Sequence, residues 1–466
     1  MSKTLRDYQR AELVRCKDWD RLPVFWRMRL GKTLFTIRWL ERKKRVARVL
    51  IAAPLSILEA WQEELEEEGY GVVLALGSAK QKETALLEGW ALGFKYFLTN
   101  KEGLTVRRRR GELRKRAMGS GVTEFPWDAV ILDESPWIKN PGAAVTKVVC
   151  KSFEAVPVKA ILTGLPCPES PLDYFEQYRF LHGQFLGCST FWKFREKYFK
   201  RAGFDWYPRP GTLSAIKQEV IKTSTRVTLK SIGVKIERVY EKRKVQLPPS
   251  LQKVYAEAER SFVLGAKSTK WTVVKRSWLQ QIAGGGYGLA PEFHSDHKLR
   301  ELVNLLQGEL KEEQVVVFFR FNSELRAAAR ALSAKKISNL SITGAVSREE
   351  RIRLRKKFQA GDTRIALLQP RCVRYGLKFS AADTAIYYSN WEEYELRGQS
   401  QERILEIGKS SCLLYLDVIT ENTIDEDIYD ALRSKGAGSK AFEARLTKGM
   451  LQRACNKEVD GYRPRG

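Results

Sequence analysis

Two short segments, 30–33 and 131–135, carry the side chains best suited to chemistry. Leu30-Gly31-Lys32-Thr33 follows an apolar stretch, 22–26, and precedes an amphipathic one, 34–40. A loop running into a helix N-terminus presents backbone N–H groups to anionic oxygens. A lysine placed like Lys32 reaches the β- and γ-phosphates, and a hydroxyl placed like that of Thr33 ligates Mg2+. Ile131-Leu132-Asp133-Glu134-Ser135 ends an apolar run with two carboxylates at the C-terminal edge of a strand. There Asp133 can hold the metal, while Glu134 orients or deprotonates an attacking water. Each half alone has a plainer reading. The full phosphate-loop spacing asks for Gly five residues before Gly31, where this chain has Trp26, so the triplet also fits a helix start with an exposed lysine. An Asp-Glu pair after a strand also serves as a helix cap. Their order and their strand contexts together point to nucleotide hydrolysis.

Composition bounds the partners. The 466 residues exceed one ordinary core, so two or three domains are expected. A hydrophobic fraction of 43% with 29% charged residues is that of a soluble globular chain. No apolar run is long enough to span a bilayer, and Met1 to Asp7 lacks a signal-peptide core. Seven scattered cysteines without a Cys-x-x-Cys pair, and only three His, argue against a zinc site or a disulfide framework. The expected location is the cytoplasm, with no membrane partner. The charge is the strong clue: 82 Lys+Arg against 55 Asp+Glu gives +27, an excess that attracts nucleic acid.

Elements that must position these residues are legible as alternating strands and helices. Apolar runs at 48–54, 72–76, 96–98, 129–132 and 159–162 predict strands, and the spacing of Leu58, Trp61 and Leu65 predicts a helix over 57–68. Strands separated by helices imply a parallel sheet covered on both faces. A basic excursion, Arg107 to Arg110 and onward to Gly121, is either a solvated loop or a phosphate contact. From 175 to 278 the pattern is aromatic, basic and mostly helical, with a β-like interruption at 236–247; 280–288 looks like a hinge or loop. A helix over 298–310 and strands at 314–319, 337–342, 364–368, 384–388 and 412–418 make a second α/β sheet. From Arg433 onward nine basic and three acidic residues give +6, and this tail is expected to be partly disordered.

Two such sheets with a phosphate loop in the first resemble the tandem RecA-like lobes of superfamily 2 helicases. The motifs narrow the resemblance to Swi/Snf-like DNA-dependent ATPases of the compact type found in phages and bacteria. Leu5-Arg6-Asp7-Tyr8-Gln9 resembles the opening motif, whose Gln reads the adenine edge. Met28 to Thr33 is similar to the phosphate loop, with Arg29 where the family usually has Gly; Ala53 to Trp61 resembles a DNA-contacting motif. Asp133 to Pro141 matches the acidic box, and Leu162-Thr163-Gly164-Leu165-Pro166 the motif coupling hydrolysis to lobe movement. In the second sheet, Phe318-Phe319-Arg320-Phe321 is similar to the opening motif, and Ile342-Thr343-Gly344 with Glu350, Arg351 and Phe358 fits the next. Gly376-Leu377-Lys378-Phe379 resembles a motif touching DNA and nucleotide, Gln399 to Arg403 begins the arginine motif, and Thr423 to Glu426 the closing helix. Three departures stand out: Pro136 where the acidic box commonly has His, Arg29, and Glu406 where a second arginine is usual.

The resemblance implies a chain with two tandem RecA-like parallel-sheet lobes, at 1–235 and 236–432, a helical, basic inter-lobe insertion, and a short basic tail at 433–466. It implies ATP and Mg2+, with Lys32, Asp133, Glu134 and Arg403 catalytic and the metal on Thr33 and Asp133. Gln9, Arg29, Leu30, Gly31, Lys32, Thr33, Gly376, Gln399 and Arg403 would hold the nucleotide. Pro54, Leu55, Ser56, Arg320 and Lys378 would meet DNA, and Thr163 and Gly164 would couple. The implied activity is that of an ATP-driven monomeric motor on DNA, a helicase or a duplex translocase, preferring duplex, in a bacterial or phage-infected cell. The alternatives are a nucleic-acid-binding scaffold with a degenerate ATPase site, and an RNA-directed helicase. If about six phosphates are neutralised, log K for duplex DNA should fall against log salt with a slope of about −5. A slope near zero in a salt titration would assign the positive charge to another purpose.

Overall fold

The computed structural model describes residues 3–106, 118–119, 121–168, 170–202, 205–263, 269–287, 292–293, 295–373, 377–406 and 412–433. They fall into two compact units, divided between Val234 and Lys235. Arg107 to Arg110, Gly376 and the tail from 434 lie outside the described residues.

The first unit is built on six parallel strands: β1 (Arg21–Val24), β2 (Val49–Ala53), β3 (Val72–Leu74), β4 (Tyr96–Asn100), β7 (Ala129–Asp133) and β8 (Val158–Leu162). Between β4 and β7 a two-residue ladder joins β5 (Thr105–Val106) to β6 (Met118–Gly119). The order across the sheet is β1-β8-β7-β2-β4-β3. Every residue of β2, β7 and β8 is buried, as a sheet covered on both faces requires. The run at 225–227 continues the sheet beyond β1, with Phe25 N donating to Thr225 O at 2.9 Å and Arg27 N to Val227 O at 3.2 Å.

The second unit repeats that plan. Its strands are β11 (Glu237–Val245), β14 (Val315–Phe318), β15 (Asn339–Ile342), β16 (Ile365–Leu368), β17 (Thr384–Tyr387) and β18 (Cys412–Thr420), in the order β11-β18-β17-β14-β16-β15. A short ladder of β12 (Gly286–Tyr287) with β13 (Glu292–Phe293) stands apart. Counted by chain order within each sheet, first strand beside sixth, then fifth, second, fourth and third, the two sheets are the same. Each unit is a RecA-like lobe.

The repeat corrects one expectation. The helical stretch 175–278 is not a single insertion, because its β-like interruption is the first strand of the second lobe, paired along nine residues with β18. Upstream helices Tyr174–His182 and Phe191–Tyr198 share the core of the first sheet, where Phe175, Tyr178 and Phe194 pack with Phe25, Leu132 and Ile161. Downstream helices Pro249–Val263 and Thr269–Ala283 pack through Leu251, Tyr255, Leu279 and Ile282 on Ile424 and Ile428 of the helix Ile424–Arg433. Gln280 to Ala283, expected as hinge, completes a helix. The sequence also concealed an antiparallel hairpin, β9 (Phe199–Ala202) with β10 (Asp205–Pro208). Its aromatic and basic residues lack the alternation that marks a half-buried strand.

The second lobe's arginine motif is fixed by one buried ion pair. Arg397, on the helix Tyr394–Gln401, meets Asp417 of β18 at 2.6 and 2.9 Å and lies over the Tyr387 ring. Asn390 Nδ2 also donates to Asp417, at 2.8 Å. Removing one partner strands the other charge in a dry interior, so Asp417→Ala should cost about 3–5 kcal/mol. Urea unfolding of the variant against the parent measures it.

Candidate active site

The first site rests on a loop that has to turn through left-handed backbone. After β1 the chain runs through Arg29 at φ 71° and Gly31 at φ 68° before the helix Lys32–Glu41 begins. Left-handed positions turn successive N–H groups into a concavity that suits an anion. The helix has no side-chain N-cap bond and no acidic residue in its first turn, so its N-terminus keeps its positive end uncompensated by side chains. The φ of Arg29 also explains why glycine is usual there, since a side chain at such an angle costs about 1–2 kcal/mol.

A collar of side chains holds this loop. Gln9 Nε2 donates to Leu30 O at 3.3 Å and Gly31 O at 3.1 Å, and its Oε1 accepts Arg6 N at 2.8 Å. Tyr8 OH donates to Leu30 O at 3.0 Å. Trp26, standing where the motif asks for glycine, is buried against Phe35 and Tyr8, and its Nε1 donates to Thr225 Oγ1 at 2.7 Å. Thr225 passes that bond on to Glu12 at 2.5 Å. Lys32 Nζ donates to Trp26 O at 3.2 Å.

The acidic pair sits two strands away, at the end of β7. Asp133 is buried; it accepts Trp61 Nε1–H at 2.8 Å and the Glu134 N–H at 2.8 Å. Burial pushes its carboxyl above the usual range, while the Lys32 charge and those two donors oppose the shift. Glu134 turns at φ 48°, and its carboxylate accepts the Thr163 hydroxyl at 3.2 Å. Thr163 Oγ1 also accepts Leu165 N at 3.1 Å. Gly164 lies against the phosphate loop, since a Cβ there would come within 3.5 Å of Met28 N and Trp26 O. The loops after β1, β8 and β7, three adjacent strands, therefore bring Lys32, Thr163, Gly164, Asp133 and Glu134 together at one sheet edge. Pro136 opens the turn Ser135–Ile138, where a missing N–H breaks no helical bond. Ser135 Oγ donates to Gln177 Oε1 at 2.6 Å, and Gln177 Nε2 to Pro166 O at 2.6 Å, tying the acidic box to the segment after β8.

Thr33, half-buried on the first helical turn, and Asp133 offer hydroxyl and carboxylate oxygens. Mg2+ prefers such hard donors, keeps several waters, and takes one or two carboxylates with substrate phosphates. The donor set fits it. Pro54 is buried as the cap of the helix Leu55–Glu67, and Leu55 is exposed.

In the second unit Arg403 is buried, donating from Nε to Gln399 O at 3.0 Å and from Nη1 to Leu377 O at 3.3 Å. Gln399 is buried with it, whereas Lys378 and Glu406 are exposed. Arg320 pairs with Glu392 at 3.2 Å and donates to Gln280 Oε1. Its N–H reaches Ser389 Oγ at 2.8 Å, and Ser389 in turn donates to the Glu324 carboxylate, which burial pushes up to about 7.

Sequence reasoning missed Trp61, Gln177 and Thr225. Trp61 fell among the apolar positions of a helix, and neither a lone Gln nor a lone Thr carries a spacing signal.

A sequence model described as the SNF2-related domain matches residues 26–278. The chain belongs to that family. In this SNF2-related chain the helicase conserved C-terminal domain also matches, over 297–408. ATP-dependent helicase brm of Drosophila melanogaster is 25% identical over 88% of the chain and 27% of its own length. The mouse DNA annealing helicase and endonuclease ZRANB3 is 25% identical, over 88% of the chain and 38% of that protein. The chain thus spans well under half of either relative. Among solved structures, the Sulfolobus solfataricus SWI2/SNF2 ATPase core in complex with dsDNA aligns with a TM-score of 0.43 and 19% identity. That alignment covers 98% of this chain and 96% of the other.

Gly31→Ala tests the collar. Besides its left-handed φ, a Cβ there would come within 2.5 Å of Gln9 Nε2. The variant should lose about 1–2 kcal/mol from backbone strain alone, and more from displacing Gln9. In a double-mutant cycle with Gln9→Ala, read by urea unfolding, only the steric part should disappear.

Proposed function

We propose that this chain is an ATP-driven motor that moves along duplex DNA. The observation that carries the reading is the bond from Thr163 to Glu134, beside a phosphate loop packed on Gly164. It joins the residue fit to activate water to the segment after β8, so a change in one displaces the other. The net charge of +27 supports a polyanionic track, contacted through its backbone with little sequence preference.

In this reading the N–H groups of the loop and Lys32 hold the β- and γ-phosphates of ATP, and Glu134 orients the attacking water and takes its proton. Thr33 and Asp133 would hold Mg2+, which neutralises phosphate charge when bound. Trp61 and the Glu134 N–H, with the Lys32 charge, favour the charged form of the buried Asp133 against its desolvation. Arg403 supplies a cation to the developing charge, a role worth about 10³–10⁵ in rate. Gln9 is assigned the adenine edge, although in this structure its amide is taken up by Arg6 N and by the carbonyls of Leu30 and Gly31. Pro54, Leu55, Arg320 and Lys378 are assigned to the DNA backbone, with the side chain of Ser56 outside the described set. The scaffold reading rests on Arg29, Pro136 and Glu406. Pro136 is accommodated by its turn and the exposed carboxylate of Glu406 is solvated, whereas Arg29 is held in left-handed backbone at a cost.

ATP turnover measured in parallel with no nucleic acid, single-stranded DNA, duplex, forked DNA and RNA separates the readings. Stimulation by duplex supports the motor, stimulation by RNA alone overturns it, and no turnover under any condition leaves the scaffold. Lys32→Ala should abolish turnover, and Glu134→Gln should bind ATP yet hydrolyse it very slowly. Arg403→Ala should lose stimulated turnover while binding ATP, with Glu406→Ala mild. Trp61→Phe removes a donor that favours the charged carboxylate, so the Asp133 pKa rises further. The acid limb of the pH–rate profile should then move to higher pH; an unmoved limb would mean that Asp133 does not set it.

A further inference from the structure

The hairpin that the sequence concealed carries a surface that the ATP site does not use. On the helix Phe191–Tyr198, Trp192 leaves 59% of its surface in water. One helical turn on, the Arg195 guanidinium lies 4.5 Å from the Trp192 ring centroid and 4.1 Å from that of Trp206 on β10. Arg195 Nε is buried without a hydrogen-bond partner, so the rings rather than an acceptor fix that edge of the group. Arg201, exposed on β9, stands directly across the ladder from Trp206.

The platform is rigid from below. Phe194 is buried and stacks on Phe175 at 5.2 Å, and Tyr198 OH donates to Leu186 O at 3.1 Å. Arg209 N and Thr212 Oγ1 donate to Tyr198 O at 2.9 and 2.7 Å, and Arg209 Nε to Phe199 O at 3.1 Å, fastening helix to hairpin. An aromatic ring held rigid and wet, stiffened by a stacked cation, is the arrangement on which a nucleobase stacks. Residues 191–209 carry six basic side chains (Lys193, Arg195, Lys197, Lys200, Arg201 and Arg209) against Glu196 and Asp205. That balance complements a phosphate backbone. A duplex keeps its base faces covered, so exposed rings add nothing to its binding; an unpaired strand offers both bases and phosphates.

We propose that Trp192, Arg195 and Trp206 form an accessory site for single-stranded DNA, with Trp192 stacking on a base and the neighbouring cations holding phosphates. Its place in a motor's cycle rests on the reading above, because a DNA motor meets unpaired strands at forks. Binding itself needs no hydrolysis.

The test is fluorescence anisotropy of the full chain, without nucleotide, on a labelled oligothymidylate of about 16 nucleotides. Trp192→Ala should weaken binding about tenfold, the loss expected for one base stack, while binding of blunt duplex and duplex-stimulated ATP turnover stay unchanged. Trp192→Phe should retain most of the affinity, since a ring is kept. Tyr207→Ala is the control. Tyr207 is half exposed, at 50%, but adjacent to Trp206 on the strand and therefore on the opposite face; its loss should leave oligothymidylate binding unchanged. Unchanged oligothymidylate affinity in Trp192→Ala overturns the proposal. So does equal weakening on blunt duplex, or a Trp192-dependent affinity for oligouridylate but not for oligothymidylate. Because the assay contains no ATP, a chain that binds in this way but never hydrolyses would sink the motor reading and leave the accessory site standing.

Discussion

The first lobe turns on one interaction, a carboxylate set at the dry end of a buried strand among groups that oppose the shift burial imposes on it. Asp133 ends β7, where every residue is buried, and desolvation favours its neutral form. Three groups from three different segments oppose that: the indole N–H of Trp61, the N–H of Glu134 and the charge of Lys32. Each arrives by a different route. Trp61 needs the helix after β2, Glu134 needs a left-handed residue after β7, and Lys32 needs the loop after β1. A parallel sheet meets all three demands because every strand ends on the same edge.

The same edge explains the collar around the phosphate loop. An anion cradle needs N–H groups without internal partners, yet a loop with unpaired groups is costly to hold in one conformation. Gln9, Tyr8 and the Trp26–Thr225–Glu12 chain fix its carbonyls and its aromatic floor. The loop is thus ordered through its carbonyls and its aromatic floor.

The second lobe answers a parallel problem with opposite charge. Arg397 is buried, and Asp417 with Asn390 satisfies it from β18 and the segment after β17. Its helix carries Gln399 and ends just before Arg403, which bonds back to Gln399 O and Leu377 O. The buried ion pair of Arg397 thus anchors the helix whose Gln399 carbonyl accepts from Arg403.

The sequence by itself determined the strand and helix runs, the tandem arrangement and the polar motifs, because apolar periodicity and residue order are local properties. Leu30 to Thr33 and Asp133 to Glu134 were legible for that reason, and the family match rests on the same order. Tertiary structure decided what those residues touch. That 237–245 is the first strand of the second sheet depended on pairing with β18, far along the chain, and its mixed polar pattern is that of an edge strand. Trp26, Trp61 and Thr225 look like ordinary core or linker residues until folding brings them to the phosphate loop and Asp133. The stack of Trp192, Arg195 and Trp206 exists only once helix and hairpin meet. A linear pattern records which face of its own element a residue occupies; it does not record the neighbour that the fold sets against that face, and hydrogen bonds and desolvation depend on that neighbour.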